Sequence, residues 1–293
     1  MRRTRIEQVV IHFIFWLIVA FCLVPFLLLI TASLTDEDAI IREGYSFFPS
    51  EWSLDSYVFI FQKSGEILNS YGISVIVTIL GTLASLVLMT LLAYPLSKKD
   101  LPLRNFFSFI VFFTMLFNGG LVPTYLIYSN VFHITNTLLA LIVPGLLVSA
   151  FYVILLRTFF TVSVPEAVLE SANMDGAGEF RIFVQMALPL SLPVLATVGL
   201  FQVINYWNDW FNGLIYISDS RLYSIQVLLN TILLNVQYLL DNVDYSSRVD
   251  GSSIPTQGVR LAIAVIGALP IVVTYPFFQR FFVKGLTVGA VKG

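Results

Sequence analysis

The chain has 293 residues, of which 57% are hydrophobic and 12% charged, and its formal net charge is −2. A charged share about half that of a soluble protein cannot cover the surface of a soluble fold of this size. A disordered chain, a nucleic-acid binder with a basic surface and an ordinary cytosolic enzyme are therefore excluded, and a polytopic membrane protein remains.

The N-terminus, Met1-Arg-Arg-Thr-Arg5, looks like the n-region of a signal peptide. The apolar stretch behind it, Val9–Ala32, is too long for an h-region, so it reads as a retained first span kinked at Pro25. Cys22, the single cysteine, lies in this stretch and reads as a small buried hydrophobe. A second span lies within the uncharged segment Ile67–Ser97. Asn105 to Leu156 carries no Lys, Arg, Asp or Glu over 52 residues, enough for two spans. They are expected at Asn105–Tyr128 and Leu138–Arg157, joined by a polar turn over Ser129–Thr137. A fifth span is expected at Leu190–Ile217, and a sixth at Leu261–Phe282 with Pro270 and Pro276 inside it. The fold class is thus all-α: one transmembrane domain over residues 1–293, with outward segments at 33–66 and 218–258 and an inward loop at 158–189.

Six spans put both termini on one side of the membrane. That side, with the 97–104 loop and the 157–189 segment, carries eleven basic residues: Arg2, Arg3, Arg5, Lys98, Lys99, Arg104, Arg157, Arg181, Arg280, Lys284 and Lys292. The opposite loops carry five: Arg42, Lys63, Arg221, Arg248 and Arg260. The positive-inside rule makes the richer side cytoplasmic. Leu222–Leu240 is also uncharged, but Gln226, Asn230, Asn235 and Gln237 interrupt it and its apolar residues form one stripe. Such a helix lies on a surface or packs in a vestibule.

The inward loop is the most informative stretch. It reads Ser163-Val-Pro-Glu-Ala-Val-Leu-Glu-Ser-Ala-Asn-Met-Asp-Gly176-Ala-Gly-Glu and continues to Pro189 and Pro193. Ser163 with Glu166 has the spacing of a capping box, Pro165 suits a first helical turn, and Gly176 can take the left-handed conformation that ends a helix. A helix of about 12 residues is expected, too short to be stable alone in water. Its charges, Glu166, Glu170 and Asp175, are all acidic. It is either an ordinary capped loop helix or one that docks on a partner groove of basic character.

These residues carry a resemblance. Glu170-Ser171-Ala172, three residues, Gly176, nine residues and then Met186-Ala187-Leu188-Pro189 resemble the signature of ABC-importer permeases, Glu-Ala-Ala, three residues, Gly, nine residues and Ile-x-Leu-Pro. Ser171 stands for the second alanine and Met186 for isoleucine; Glu170 and Gly176 are intact. Asp175-Gly176-Ala177 and Pro193 are similar to the carbohydrate-type branch. Phe117–Tyr125 and Asn205–Phe211 resemble a sub-branch that imports complex oligosaccharides, including uronate-rich ones such as alginate fragments. The likeness covers essentially the whole chain.

The resemblance implies that the loop helix is a coupling helix, with Glu166, Glu170, Ser171, Ala172, Asp175, Gly176 and Ala177 meeting an ATP-binding subunit. It implies a complex of two permeases, this one paired with a non-identical partner, two ATP-binding subunits and an extracytoplasmic solute-binding protein, in a bacterial cytoplasmic membrane. No cofactor would be held by this chain: ATP and Mg would sit on the partner ATPase, as the absence of a GxxxxGK[ST] motif in the sequence agrees. The substrate would be a sugar, with a non-sugar solute as the alternative, and lipid rather than nucleic acid would surround the chain.

For a substrate path, Asn205, Tyr206, Trp207, Asn208 and Trp210 supply amides for hydroxyls and aromatic faces for sugar rings. The same run also suits an aromatic belt at the outer interface or helix packing. Asn118, with Gly119 and Gly120, marks either a break in the third span or its outer end. His12 and His133 are too few for a metal site, and no catalytic constellation stands out. A secondary transporter would carry intramembrane ionisable residues and inverted repeats, and neither is visible.

Overall fold

The computed structural model describes residues 5–62, 64–241 and 256–290, and every regular element among them is helical. Among the described residues, three helices are long and apolar enough to cross a membrane: Glu7–Ser33, Gly65–Ser97 and Thr256–Pro276. Two bent pairs also qualify when each is taken together: Arg104–Leu116 with Leu121–Val131, at 116°, and Glu179–Leu190 with Leu192–Asn208, at 79°. Arg2, Arg3, Lys63, Arg248 and Lys292, used above for orientation, lie outside the described residues. Contacts divide the chain into two units, residues 1–67 with 229–270 and residues 68–228 with 271–293.

In the first unit, α1 (Arg5–Ser33) carries the first expected span through Pro25. It is almost wholly exposed, with Trp16 at 73% and Phe21 at 83%. A helix this apolar with no protein around it is suited to hydrocarbon. Cys22 is exposed on it rather than buried, since the apolar window of α1 is not buried by any of the described residues.

The segment beyond α1 is ordered by polar contacts. The Ser33 hydroxyl lies 2.8 Å from that of Tyr57, and an antiparallel bridge joins Thr35 to Trp52. Asp36 caps the seven-residue helix α2 (Glu37–Glu43) through the amides of Asp38 and Ala39. Buried Glu37 then serves a second helix. Its carboxylate accepts from the Thr256 hydroxyl at 3.0 Å and from the amides of Gln257 and Gly258, both at 2.9 Å. Those donors form the first turn of the long helix α15 (Thr256–Ala290). A carboxylate there satisfies orphan amides and faces the positive end of the helix dipole. Gly258 also lies so close to Ser56, on α3 (Asp55–Phe61), that a Cβ would collide with its hydroxyl.

In the second unit, the expected third span is two helices, α5 (Arg104–Leu116) and α6 (Leu121–Leu126), the latter continuing as a π turn to Val131. Phe117 is extended, Asn118 Oδ1 accepts the Gly120 amide at 2.9 Å, and Gly120 has φ +87°. An Asx turn feeding a glycine of positive φ stops α5, and the chain turns by 116° into α6 across the Asn-Gly-Gly run.

The expected fourth span is also interrupted. α7 (Leu138–Ile142) and α8 (Ala150–Ser163) flank a non-helical stretch containing Pro144 and left-handed Gly145. The fifth, expected from Leu190, comprises α12 (Leu192–Asn208) and α13 (Phe211–Tyr216) with a break at Asp209 and Trp210. Both interruptions place backbone carbonyls where no helix can satisfy them, a need that recurs below.

α14 runs from Ile225 to Asp241 after a 3-10 turn, so Leu222 falls outside it. Ile225, Val227 and Leu228 are buried, whereas Leu234 and Tyr238 are exposed. The Ile225 amide donates to Ser74 Oγ, on α4 (Ser64–Ser97), at 2.7 Å.

Candidate functional site

The loop between α8 and α12 contains the motif residues. α8 ends at Ser163, so Ser163 closes one helix instead of capping the next. The capping box expected from the sequence is not made: α9 (Glu166–Met174) begins after extended Pro165, which offers no side-chain cap. The helix has nine residues, shorter than expected, because its start is fixed by Pro165. Glu166 is its first residue, and the side chains of 166–168 lie outside the described residues.

The far end of α9 follows the expectation for Gly176. Gly176 has φ +77°, its amide donates to the Asn173 carbonyl, and the Ala177 amide donates to that of Ala172, both at 3.0 Å. This pair of bonds around a left-handed residue is a Schellman motif, which satisfies two orphan carbonyls and turns the chain sharply. Ala172 is 2% exposed and Leu169, one turn earlier, packs against the main apolar cluster. Glu170, Ser171, Asn173 and Asp175 are exposed, and Met174 is 88% exposed. α9 therefore offers one acidic, partly apolar face to the outside while its other face is held.

Downstream, α10 (Glu179–Ile182) passes through a π turn, Phe183–Ala187, into the short α11 (Leu188–Leu190). Pro189 and Pro193 each lack an amide donor. The 79° bend falls between them, at fully buried Ser191, whose amide closes onto the Ala187 and Leu188 carbonyls. The second half of the sequence motif thus builds a corner.

The end of α4 holds this loop from both sides. Tyr94, 7% exposed, meets the ring of Phe160 on α8 edge-on at 5.7 Å and the ring of Phe183 at 4.9 Å. Its hydroxyl donates to Glu179 Oε2 at 3.3 Å. Lys98 Nζ lies 5.1 Å from the centre of the Tyr94 ring and 3.5 Å from the same Glu179 oxygen. Partial burial lowers the Lys98 pKa, but its contacts with Tyr94 and Glu179 outweigh this and the net shift is upward. Arg104 Nε donates to the Leu96 carbonyl at 3.0 Å, placing a cation at the negative end of α4. A groove of about 460 Å³ runs between Lys98, Lys99 and Asp100 on one side and Pro165, Glu170 and Asn173 on the other.

The candidates for a substrate path separate into two groups. Tyr206, 2% exposed, has its hydroxyl 3.0 Å from Ser85 Oγ and donates to the Ile142 carbonyl at 3.0 Å. Trp207 is 5% exposed and lies 6.0 Å from the Tyr71 ring. Asn205, Asn208 and Trp210 are exposed, and Asn205 Nδ2 donates to Gln202 Oε1 at 3.1 Å and to the Tyr152 hydroxyl at 3.4 Å. Asn118 is exposed at the α5–α6 break, in its Asx turn. The run that looked uniform in sequence is therefore a buried packing pair with open amides beside it.

Sequence reasoning did not anticipate which polar side chains serve the non-helical stretch within the expected fourth span. Gln202 Nε2 donates to the Leu146 carbonyl and Asn212 Nδ2 to the Pro144 carbonyl, both at 3.0 Å. With Tyr206 on Ile142, three of the stretch's carbonyls are capped from α12 and α13. Non-helical backbone at membrane depth survives where protein groups replace the lost helix bonds. The signal in the sequence was Gln202 itself, an amide that directly follows the mainly apolar run Leu192–Phe201.

Comparison with known proteins gives a consistent result. The family described as "Binding-protein-dependent transport system inner membrane component" matches residues 3–288. The chain is 36% identical over 291 residues to the polygalacturonan/rhamnogalacturonan transport system permease protein YtcP of Bacillus subtilis, covering 99% of this chain and all of that one. It is 30% identical to the arabinooligosaccharides transport system permease protein AraQ of Halalkalibacterium halodurans, over 92% of this chain and 91% of that one. A solved bacterial ABC transporter, involved in the import of the acidic polysaccharide alginate, superposes with a TM-score of 0.79 at 27% identity. The match covers 96% of this chain and 98% of that one.

Proposed function

Since the chain belongs to the binding-protein-dependent transport system inner membrane components, we propose that it is the permease subunit of an ATP-driven importer that takes oligosaccharides across a bacterial cytoplasmic membrane. It is a transport component and not an enzyme. ATP and Mg are bound and hydrolysed on two separate ATP-binding subunits. A second, non-identical permease completes the passage, and an extracytoplasmic solute-binding protein delivers the sugar. Both termini are cytoplasmic, as the basic residues of the inward loops favour. The whole of residues 1–293 acts as one permease domain.

The observation that carries the coupling role is α9 itself. A nine-residue helix is marginal on its own. Here it is anchored by Leu169 and Ala172 and closed by Gly176, with Glu170, Asp175 and Met174 left outward. This is the geometry of a rigid docking element: charge and an apolar tip meet the ATP-binding subunit while the anchored face passes the movement on. Glu166, Ser171 and Ala177 belong to the same docking segment. The exposed amides of Asn118, Asn205 and Asn208, with Trp210, face the sugar; Tyr206 and Trp207 shape the wall behind them.

The substrate class is an acidic, uronate-rich oligosaccharide. Polygalacturonan and alginate, named for two of the similar proteins, are both polymers of sugar acids. The expected spans of this chain contain almost no basic side chains, so the partner permease or the binding protein supplies the cations for the carboxylates. The test is uptake by the full complex in proteoliposomes, with oligogalacturonides, alginate oligosaccharides and neutral arabino-oligosaccharides compared. Uptake of the acidic sugars that depends on ATP and the binding protein supports the reading. Uptake confined to neutral sugars would reject the acidic class, and uptake driven by an ion gradient without ATP would reject the importer itself.

A further inference from the structure

The loop that holds α9 packs into the main apolar cluster through Val164, Leu169, Phe183 and Ala187, and at the end of α4 it also makes polar contacts. Tyr94 touches an element on each side of α9: Phe160 on α8, which leads into it, and Phe183 in the π turn that leads out. Glu179 opens α10 immediately beyond the Gly176 turn, and its Oε2 takes both the Tyr94 hydroxyl and the Lys98 ammonium. Lys98 stands one helical turn beyond Tyr94 and lies against its ring.

We propose that Tyr94, Lys98 and Glu179 form a latch through which movement of α9 is delivered to α4, making the three positioning residues for transport. This rests on the coupling reading of α9 given above. The two parts of the latch act differently. The rings are buried and close-packed, so they transmit displacement in any direction, as packed interiors do. The polar part is directional: a pull on α10 draws Glu179 away from Lys98 and Tyr94, and a push leaves those bonds made. Glu179 is 63% exposed at its side chain, so its ion pair adds little to static stability. Its value lies in linking two elements that must move together when the ATP-binding subunits close.

The experiment uses the complete importer in proteoliposomes, with sugar uptake and ATP hydrolysis measured on the same preparation. The variants are Lys98→Glu, Glu179→Lys, the two together, and Tyr94→Phe, which keeps both ring contacts and removes only the hydroxyl. Membrane abundance and co-isolation of the ATP-binding subunit are measured for each. The expected result is unchanged co-isolation and a roughly two- to fivefold loss of sugar moved per ATP in the single charge variants, the size an exposed ion pair can supply. Tyr94→Phe should show a smaller loss in the same direction, and the double exchange should recover most of the wild-type ratio. A ratio unchanged in all the variants, or a double exchange no better than the worse single one, overturns the latch. So does a loss of uptake that follows abundance alone. Failure of the underlying reading looks different: Gly176→Val would then co-isolate and transport like the wild type. If the latch alone is wrong, Gly176→Val remains defective while the latch variants behave normally.

Discussion

Replacing Gly176 separates the aim of the loop helix from its contacts. Gly176 sits at φ +77°, and a Cβ built there meets nothing within 4 Å. Any penalty is therefore conformational and not a clash. A residue with a side chain held in the left-handed region costs about 1–2 kcal/mol, with β-branched residues at the upper end and asparagine well below it. The alternative is to leave that region and break the bonds from Gly176 to Asn173 and from Ala177 to Ala172. In an exposed loop water replaces part of that loss, at roughly 0.5–1.5 kcal/mol per bond. Both routes cost about the same, so Gly176→Val should shift the balance between capped and open loop roughly tenfold, since about 1.4 kcal/mol is a factor of ten. Gly176→Ala should do less and Gly176→Asn least. Co-isolation of the ATP-binding subunit and binding-protein-stimulated ATP hydrolysis, normalised to membrane abundance, should fall in that order. Wild-type behaviour of the valine variant would refute the argument that α9 must be aimed. Equal defects for asparagine and valine would refute the conformational cause.

Two further outcomes follow from polar contacts inside each unit. Tyr206→Phe removes the hydroxyl shared by Ser85 and the Ile142 carbonyl. It should lower stability by about 1–3 kcal/mol, seen as earlier thermal unfolding in detergent, with uptake falling only as abundance falls; an altered sugar preference would instead make Tyr206 a substrate contact. Glu37→Gln presents an NH2 to one of the α15 first-turn donors in place of an acceptor. Faster amide exchange at residues 256–260 is expected, with a cost of about 1–3 kcal/mol, and unchanged exchange there would contradict the capping role.

The helical class, the apolar segments and the cap at Gly176 were legible because each depends on local signals: hydropathy, periodicity and a glycine in the right register. The interruptions at Phe117–Gly120 and at Val143–Ser149 were harder. Asn118-Gly119-Gly120 was visible as a possible break, yet nothing local distinguished it from a helix end. Pro144 and Gly145 passed unnoticed inside an uncharged run, since hydropathy does not register backbone continuity. The Ser163–Glu166 pairing failed for the opposite reason. The local pattern was present, but α8 continued through Ser163 because Val153, Leu156 and Phe160 on it are buried in the main apolar cluster. In the aromatic run, composition alone could not show that Tyr206 faces inward while its neighbours Asn205 and Asn208 face out. That division depends on Gly81 of α4, where a Cβ would come within 2.6 Å of the Tyr206 ring.

The stitched backbone between α7 and α8 bears on how the chain is made. The carbonyls of Ile142, Pro144 and Leu146 are synthesised well before Tyr206, Asn212 and Gln202, the side chains that serve them. Only the Leu146 carbonyl has an earlier-made partner among the described residues, Ser85 Oγ at 3.4 Å, and bare carbonyls are poorly tolerated in lipid. Until those side chains are made, this stretch must stay beside water or within the insertion machinery. A nascent chain that stops short of residue 202 should therefore be recognised as unfinished and degraded, even though its first spans are apolar enough to insert. Quality control of this protein would then read completion of a hydrogen-bonded seam and not the presence of hydrophobic segments.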